Sequence, residues 1–211
     1  KKFNIKTNLI FNPLNKKEIL KKSRFQIKKK IYETNSLKLI NIARFTDQKD
    51  HNTLIEAIRI VSSKIKCKLI LIGYGVKKND IEKKIDKYKL KKFIEIINFK
   101  TNPFPYLKAS ELFVLSSRYE GLPNVILEAQ TLKKYVISTD CPTGPREILL
   151  NGQTGSLFKV GDYQNLAKLI LQFKKDKKLF KKKSKKAFEM LNRFDFEKNC
   201  KKYLSLVNKY I

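Results

Sequence analysis

The chain has 211 residues, 42% of them hydrophobic and 11% aromatic, a globular rather than a disordered composition that suits one domain with a buried core. Its formal net charge is +29, yet only six of its 48 basic residues are arginine. Sequence-reading nucleic-acid binders favour the two-pronged guanidinium, so nucleic acid is not expected as a partner. The lysines run along the whole chain and read as solvated faces, with salt-sensitive peripheral attraction to an anionic membrane. No run approaches the roughly 18 apolar residues of a membrane span. No apolar signal core follows Lys1-Lys2-Phe3-Asn4. The expected location is the cytoplasm, at most peripheral at the inner face of the cytoplasmic membrane. Cys67, Cys141 and Cys200 form no CxxC pair, which argues against a disulfide framework or a zinc site and for reduced, mostly buried thiols. His51 is the single histidine, so a His-rich metal site is excluded and any Ser-His-Asp scheme would have to use it.

Residues 1–37 read as a linker segment with the first elements, Asn12-Pro13 marking a turn before a lysine-rich stretch. A first strand is expected at 39–43. Asp50 then caps a helix whose apolar positions are Leu54, Ile58, Val61 and Ile65. A second strand at 68–72 closes on Gly73-Tyr74-Gly75, and Asn79 opens a helix carrying Ile81, Ile85 and Tyr88. Strands follow at 93–97 and 112–115, with a short helix around 104–108 between them. A loop at 116–123 leads to a helix at 124–132, then to strands at 135–138 and 156–160. Asp162 caps a helix with Leu166, Leu169, Ile170 and Phe173 on one face. Two more helices follow, the last with Phe196, Cys200, Tyr203, Leu204, Val207 and Ile211 as its apolar positions.

Alternating strands and helices with near-continuous apolar strands specify an α/β fold, a doubly wound parallel sheet covered on both faces. Its domain is expected over 38–193, with 194–211 as a C-terminal helix that would pack back toward a missing N-terminal domain. Ligands collect beyond the carboxyl ends of such strands, which gathers the loops at 44–50, 73–79, 99–103, 116–124 and 139–146 on one rim.

Within those loops the richest segment is Glu120-Gly121-Leu122-Pro123-Asn124-Val125-Ile126-Leu127-Glu128-Ala129. Gly121 permits a sharp turn and close approach to its amide. Asn124 is read as a helix cap that offers N–H groups and positive dipole to an anion. Glu128, about one turn in, is placed to reach vicinal ribose hydroxyls. Equally, Glu120 and Glu128 read as ordinary surface acids, the second favouring the helix dipole. Arg44 and Lys49 follow the first strand and suit a diphosphate, although two cations in so basic a chain prove nothing alone. Gly73-Tyr74-Gly75 lacks the GxGxxG pattern and reads as a tight strand-to-helix turn. Pro145 sits at a first helical turn, and Gly152-Gln153-Thr154-Gly155 reads as a turn before the sixth strand.

Together these pieces resemble family 4 of the retaining glycosyltransferases, whose fold is the two-domain GT-B. The residues that carry the resemblance are Asn41-Ile42-Ala43-Arg44-Phe45 with Gln48-Lys49, Leu71-Ile72-Gly73-Tyr74-Gly75, and Asn98-Phe99 with Asn102-Pro103-Phe104-Pro105-Tyr106. They continue through Leu115-Ser116-Ser117-Arg118-Tyr119-Glu120-Gly121-Leu122-Pro123-Asn124-Val125, Glu128-Ala129, Asp140 to Glu147, and Asn151 to Gly155. The resemblance implies the C-terminal, nucleotide-sugar-binding half of such an enzyme. It implies that Glu128 holds the ribose, that Glu120 faces the transferred sugar, and that Arg44 and Lys49 hold the diphosphate as it leaves. The amides of Gly121, Leu122, Asn124 and Val125, with Pro123 contributing none, would line sugar and phosphate, beside Gly73. Backbone near Asn98-Phe99 would meet the base. The donor would be a nucleotide diphosphate sugar, UDP favoured, and the acceptor a glycan or lipid-linked glycan of cell-surface polysaccharide synthesis, with no metal and no further cofactor. Family members also carry an N-terminal acceptor domain of comparable size that this sequence lacks. The competing reading is a non-catalytic basic module that binds polyanions or anionic membrane on a Rossmann-like scaffold.

Overall fold

The computed structural model describes residues 8–27 and 31–209. Six parallel strands form one sheet: β1 (Leu37–Ile42), β2 (Cys67–Gly73), β3 (Ile94–Asn98), β4 (Leu112–Leu115), β5 (Tyr135–Thr139) and β6 (Ser156–Phe158). Their order is β3-β2-β1-β4-β5-β6, all neighbours parallel. The helices are α1 (Lys16–Lys22), α2 (His51–Ser62), α3 (Lys78–Lys87), α4 (Phe104–Ala109), α5 (Asn124–Thr131), α6 (Pro145–Ile148), α7 (Tyr163–Lys175), α8 (Lys177–Glu189) and α9 (Phe196–Val207). None of them is long and apolar enough to cross a membrane.

The strands explain the double winding. Leu37, Leu39, Leu69, Leu71, Leu112, Val114, Tyr135 and Ile137 face one cluster with α2, α3 and α7. The residues between them, Ile40, Ile70, Ile72, Phe113, Leu115 and Val136, face a second cluster with α1, α4, α5 and α6. A period of two along each strand therefore serves two cores at once. The seam between β1 and β4 is short, pairing Leu39 with Leu112 and Ile40 with Phe113. Just beyond it the fully buried Asn41 donates its Nδ2 to the Val114 carbonyl at 2.9 Å.

Helix starts follow local chemistry. Asp50 takes a left-handed conformation (φ 41°) and its carboxylate accepts from the Thr53 N–H at 3.3 Å and hydroxyl at 2.9 Å. Asp162 caps α7 through the Asn165 N–H at 2.9 Å. Three starts or ends differ from expectation. α3 begins at Lys78 without a side-chain cap. β6 ends at Phe158 because its pairing with β5 ends there. The linker segment contains α1, capped by Asn15 and anchored by buried Ile19. Leu14, Ile31 and Tyr32 are buried in the second cluster too, so the described part of this segment adds to the core. Cys67 and Cys141 are buried free thiols and Cys200 is half-buried.

Candidate functional site

The chain reverses winding direction between β1 and β4, so the loops after these strands diverge and leave a crevice at the carboxyl edge. Arg44 and Lys49 lie in the first loop, Glu120 in the second. The fold brings Lys49 and Glu120 together: Nζ lies 2.5 Å from Oε1, with 14% and 7% of the side chains exposed. Ser117 donates its hydroxyl to the same carboxylate oxygen at 2.6 Å. Further bonds tie the two loops. Ser116 donates to the Lys49 carbonyl at 2.9 Å, Gln48 donates to the Tyr119 carbonyl at 2.9 Å, and the Arg118 N–H donates to the Gln48 carbonyl at 2.8 Å. Glu120 is thus a fixed, charge-neutralised acceptor. Arg44 is exposed, and among the described residues its guanidinium has no hydrogen-bond or ion-pair partner.

The β4–α5 loop is also clamped from the β5 side. Thr139 donates to the Ser117 carbonyl at 2.7 Å, and the Thr143 hydroxyl donates to the Glu120 carbonyl. Gly144 has φ 84°, and a Cβ there would lie 1.9 Å from the Gly121 oxygen and 2.6 Å from Pro123 Cδ. The conformational demand expected at Gly121 therefore sits at Gly144, because Gly121 lacks a positive φ and a Cβ on it meets nothing within 4 Å. Gly121 instead has open space where a side chain would stand.

Asn124 is not the cap of α5. Pro123, extended at φ −73° and ψ 97°, takes that position, and Asn124 is the first helical residue. Proline supplies no capping side chain, so the first-turn donors are left for something else. No described hydrogen bond uses the N–H groups of Gly121, Leu122, Asn124 or Val125. The side chains of Leu122 and Val125 pack on the second core cluster, which leaves their amides as what they can offer a ligand.

Glu128 lies about one turn into α5, as expected. It shares a face with exposed Asn124, four residues earlier, and helical side chains lean toward the N-terminus. Its carboxylate therefore leans toward the unbonded amides. It is half-buried, has no described hydrogen-bond or ion-pair partner, and burial raises its pKa above the ordinary carboxylate value. A carboxylate in that condition suits a ligand that brings its own hydroxyl donors.

On the far side of the crevice, Gly73 and Gly75 are required by packing. A Cβ on Gly73 would lie 1.9 Å from the Ala43 oxygen, and one on Gly75 2.4 Å from the Phe45 oxygen. The tight turn read from the sequence is thus a close approach of the β1 and β2 loops. Asn98 ends β3, Phe99 follows it, and both are exposed; Asn98 Oδ1 accepts from Lys78 Nζ at 3.0 Å. Phe99 stands edge-on to Tyr74 at 5.4 Å between ring centroids, each ring 57% exposed. Among the described residues no three His, Cys, Asp or Glu side chains lie close enough to hold a metal ion.

Sequence reasoning gave Ser117, Gln48, Thr143 and Gly144 no role of their own, although all four lie in segments that carry the resemblance. A further signal was the polar pair Ser116-Ser117 directly after the apolar strand 112–115, a position where buried hydroxyls need partners.

The profile of the group 1 glycosyl transferases matches residues 22–190. An uncharacterized glycosyltransferase of Methanocaldococcus jannaschii is 46% identical over 116 residues, 54% of this chain and 29% of that protein. The N-acetylgalactosamine-N,N'-diacetylbacillosaminyl-diphospho-undecaprenol 4-alpha-N-acetylgalactosaminyltransferase of Campylobacter jejuni is 27% identical over 169 residues, 79% of this chain and 46% of that enzyme. The chain thus spans less than half the length of either relative. Among solved structures, Anabaena HepE in complex with UDP-glucose superposes with a TM-score of 0.77 at 20% identity, over 83% of this chain and 49% of that one. With the profile covering most of its length, from the helix before the first strand to the end of α8, this chain belongs to the group 1 glycosyl transferases.

Proposed function

We propose that the chain is the donor-binding half of a retaining glycosyltransferase that takes a hexose or N-acetylhexosamine from a nucleotide diphosphate sugar. The observation that carries this is the start of α5, where unbonded amides and an unpartnered, half-buried Glu128 face the same crevice as the Lys49–Glu120 pair. Glu128 accepts from the ribose hydroxyls. The amides of Gly121, Leu122, Asn124 and Val125 line sugar and phosphate. Glu120, held by Lys49 and Ser117, faces the transferred sugar. Arg44, together with Lys49, holds the diphosphate and stabilises its charge on departure, so the reading needs no metal. Asn98 and Phe99 meet the base, and Gly73 keeps the intervening turn clear.

A UDP donor is favoured by the UDP-glucose complex of the Anabaena protein. A glycan or lipid-linked acceptor is favoured by the diphospho-undecaprenol in the Campylobacter enzyme's name. The acceptor would be held by a partner domain, and α9 supplies a surface for one. Phe196, Tyr203, Leu204 and Val207 on that helix are 41–63% exposed. Calorimetric titration of the chain with UDP, GDP and their sugars tests the reading. Saturable binding of one nucleotide sugar is expected, weakened at least about a hundredfold by Glu128→Ala, since each charge-assisted bond contributes about 1.5–3 kcal/mol. Unchanged binding in that variant would remove Glu128 from the site.

A further inference from the structure

The chain's lysines are not distributed alike. On α3 they are interspersed with acids, and some of them pair: Lys78 lies 3.8 Å from Glu82, Lys84 3.1 Å from Glu56, and Lys77, just before the helix, 3.4 Å from both Asp47 and Asp80. α8 follows another rule. Its sequence, Lys-Lys-Leu-Phe-Lys-Lys-Lys-Ser-Lys-Lys-Ala-Phe-Glu, holds seven lysines, and its one acid is the last residue. Phe180, Ser184 and Ala187 are buried against the domain, with Phe180 edge-on to Tyr135 at 4.7 Å. Three lysines have local partners: Lys177 pairs with Glu111, Lys183 donates to the Gly152 carbonyl and Lys186 to the Gln153 side chain. The other four, Lys178, Lys181, Lys182 and Lys185, are exposed and have no described partner.

Those four stand at spacings of three, one and three, so they form one stripe on the outward face, about 10 Å long at the helical rise. Like charges three and four residues apart destabilise a helix by a few tenths of a kcal/mol per pair. A lysine-rich composition accounts for the number of lysines but not for the absence of acids among them, given that α3 has acids in those places. We infer that the α8 stripe is a docking surface for an anionic phospholipid bilayer. The stripe has no arginine, and ammonium groups are point charges that need no fixed acceptor geometry, which fits a diffuse headgroup layer better than the edges of bases. Leu179, 49% exposed beside Lys178, adds an apolar side chain at the boundary.

Because the net charge of +29 attracts any polyanion, the test has to be local. The chain is sedimented with phosphatidylcholine vesicles, with and without phosphatidylglycerol, in moderate salt. Binding is expected to require phosphatidylglycerol. A variant with Lys178, Lys181, Lys182 and Lys185 all changed to Gln should lose partitioning roughly thirtyfold or more, each lysine near such a surface contributing about fivefold before screening. A control with Lys64, Lys66, Lys83 and Lys87 changed to Gln should lose much less. Equal losses in the two variants, no binding to the anionic vesicles, or a preference for duplex DNA over vesicles at the same salt would each overturn the proposal. Amine acetylation of the unaltered chain gives a second readout without mutation. Anionic vesicles should protect the four stripe lysines but not Lys83 or Lys87, and uniform protection would count against the stripe. Neither measurement involves a nucleotide, so both stand apart from the outcome of the donor titration.

Discussion

Across the crevice, the rim after β1 and β4 is bound together by polar cross-ties, whereas the rim after β2 and β3 presents bare aromatic surface. On the first side the Lys49–Glu120 ion pair, the Ser116 hydroxyl, the Gln48 amide and one backbone bond connect the loops after β1 and β4, while the Ser117 and Thr139 hydroxyls brace the second loop. On the second, Tyr74 and Phe99 touch only edge to face and Val76 is 87% exposed. The difference matches the chemistry assigned to each side. Charge developing on a leaving phosphate is stabilised by dipoles that do not reorganise, which requires fixed groups. A planar base needs only apolar area and tolerates looser walls.

Mutations can break or sharpen this contrast. The largest effect is expected from Gly144→Ala, which forces a side chain into a left-handed position against Gly121 and Pro123. It should cost about 4 kcal/mol in denaturant unfolding and abolish donor binding together. A mild effect would mean that the clamped side is softer than its contacts suggest.

Next comes His51, 3% exposed, with neither ring nitrogen bonded and its ring edge-on to Phe45 at 5.1 Å. Burial lowers its pKa to about 4, Asp50 opposing and Lys49 adding to the shift. The unfolded chain takes up a proton near pH 6.5, while the native chain resists protonation until about pH 4. Stability from this residue is therefore fully present above pH 6.5 and lost as pH falls toward 4, by up to about 3 kcal/mol. His51→Leu should flatten that part of the pH profile relative to the parent in urea titrations.

Lys49→Met should cost about 2 kcal/mol, less than a deeply buried pair because the rim is partly wet, and the double variant with Glu120→Gln should recover part of it. A purely additive double variant would show that the pair does not couple the loops. Smallest is Phe99→Ala, expected to leave stability within about 0.5 kcal/mol and to weaken nucleotide binding by roughly fivefold, the lower end of base–aromatic stacking. Were Phe99→Ala to unfold the domain, the bare side would be structural after all.

The strands and their order of use were legible because each apolar run is short, β-rich and bounded by turn residues, with helical spacing between runs. Asp50 and Asp162 were legible as caps, being acids immediately before periodic segments. The Lys49–Glu120 bond was not, since a contact between such distant loops depends on β1 lying beside β4. α1 went unread as a helix because Lys16–Lys22 offers only Ile19 and Leu20 to periodicity, and its stability comes from the burial of Ile19 in tertiary packing. The turn expected at Gly121 and the cap expected at Asn124 fall on other residues for a related reason. Local propensity names residue types able to turn or cap, but neighbouring chain, here Gly144 and Pro123, decides which of them does so.

The short β1–β4 seam has a mechanical consequence. The sheet consists of two three-stranded leaves, β3-β2-β1 and β4-β5-β6, joined along two residue pairs, the Asn41 amide, bonds between Lys38 and Glu111, and the loop ties at Gln48 and Lys49. A ligand lying over this joint grips loops from both leaves and acts as an extra rung between them. Occupancy should then slow amide exchange on both sides of the seam by a factor that grows with ligand concentration, so that the working molecule is sturdiest while loaded.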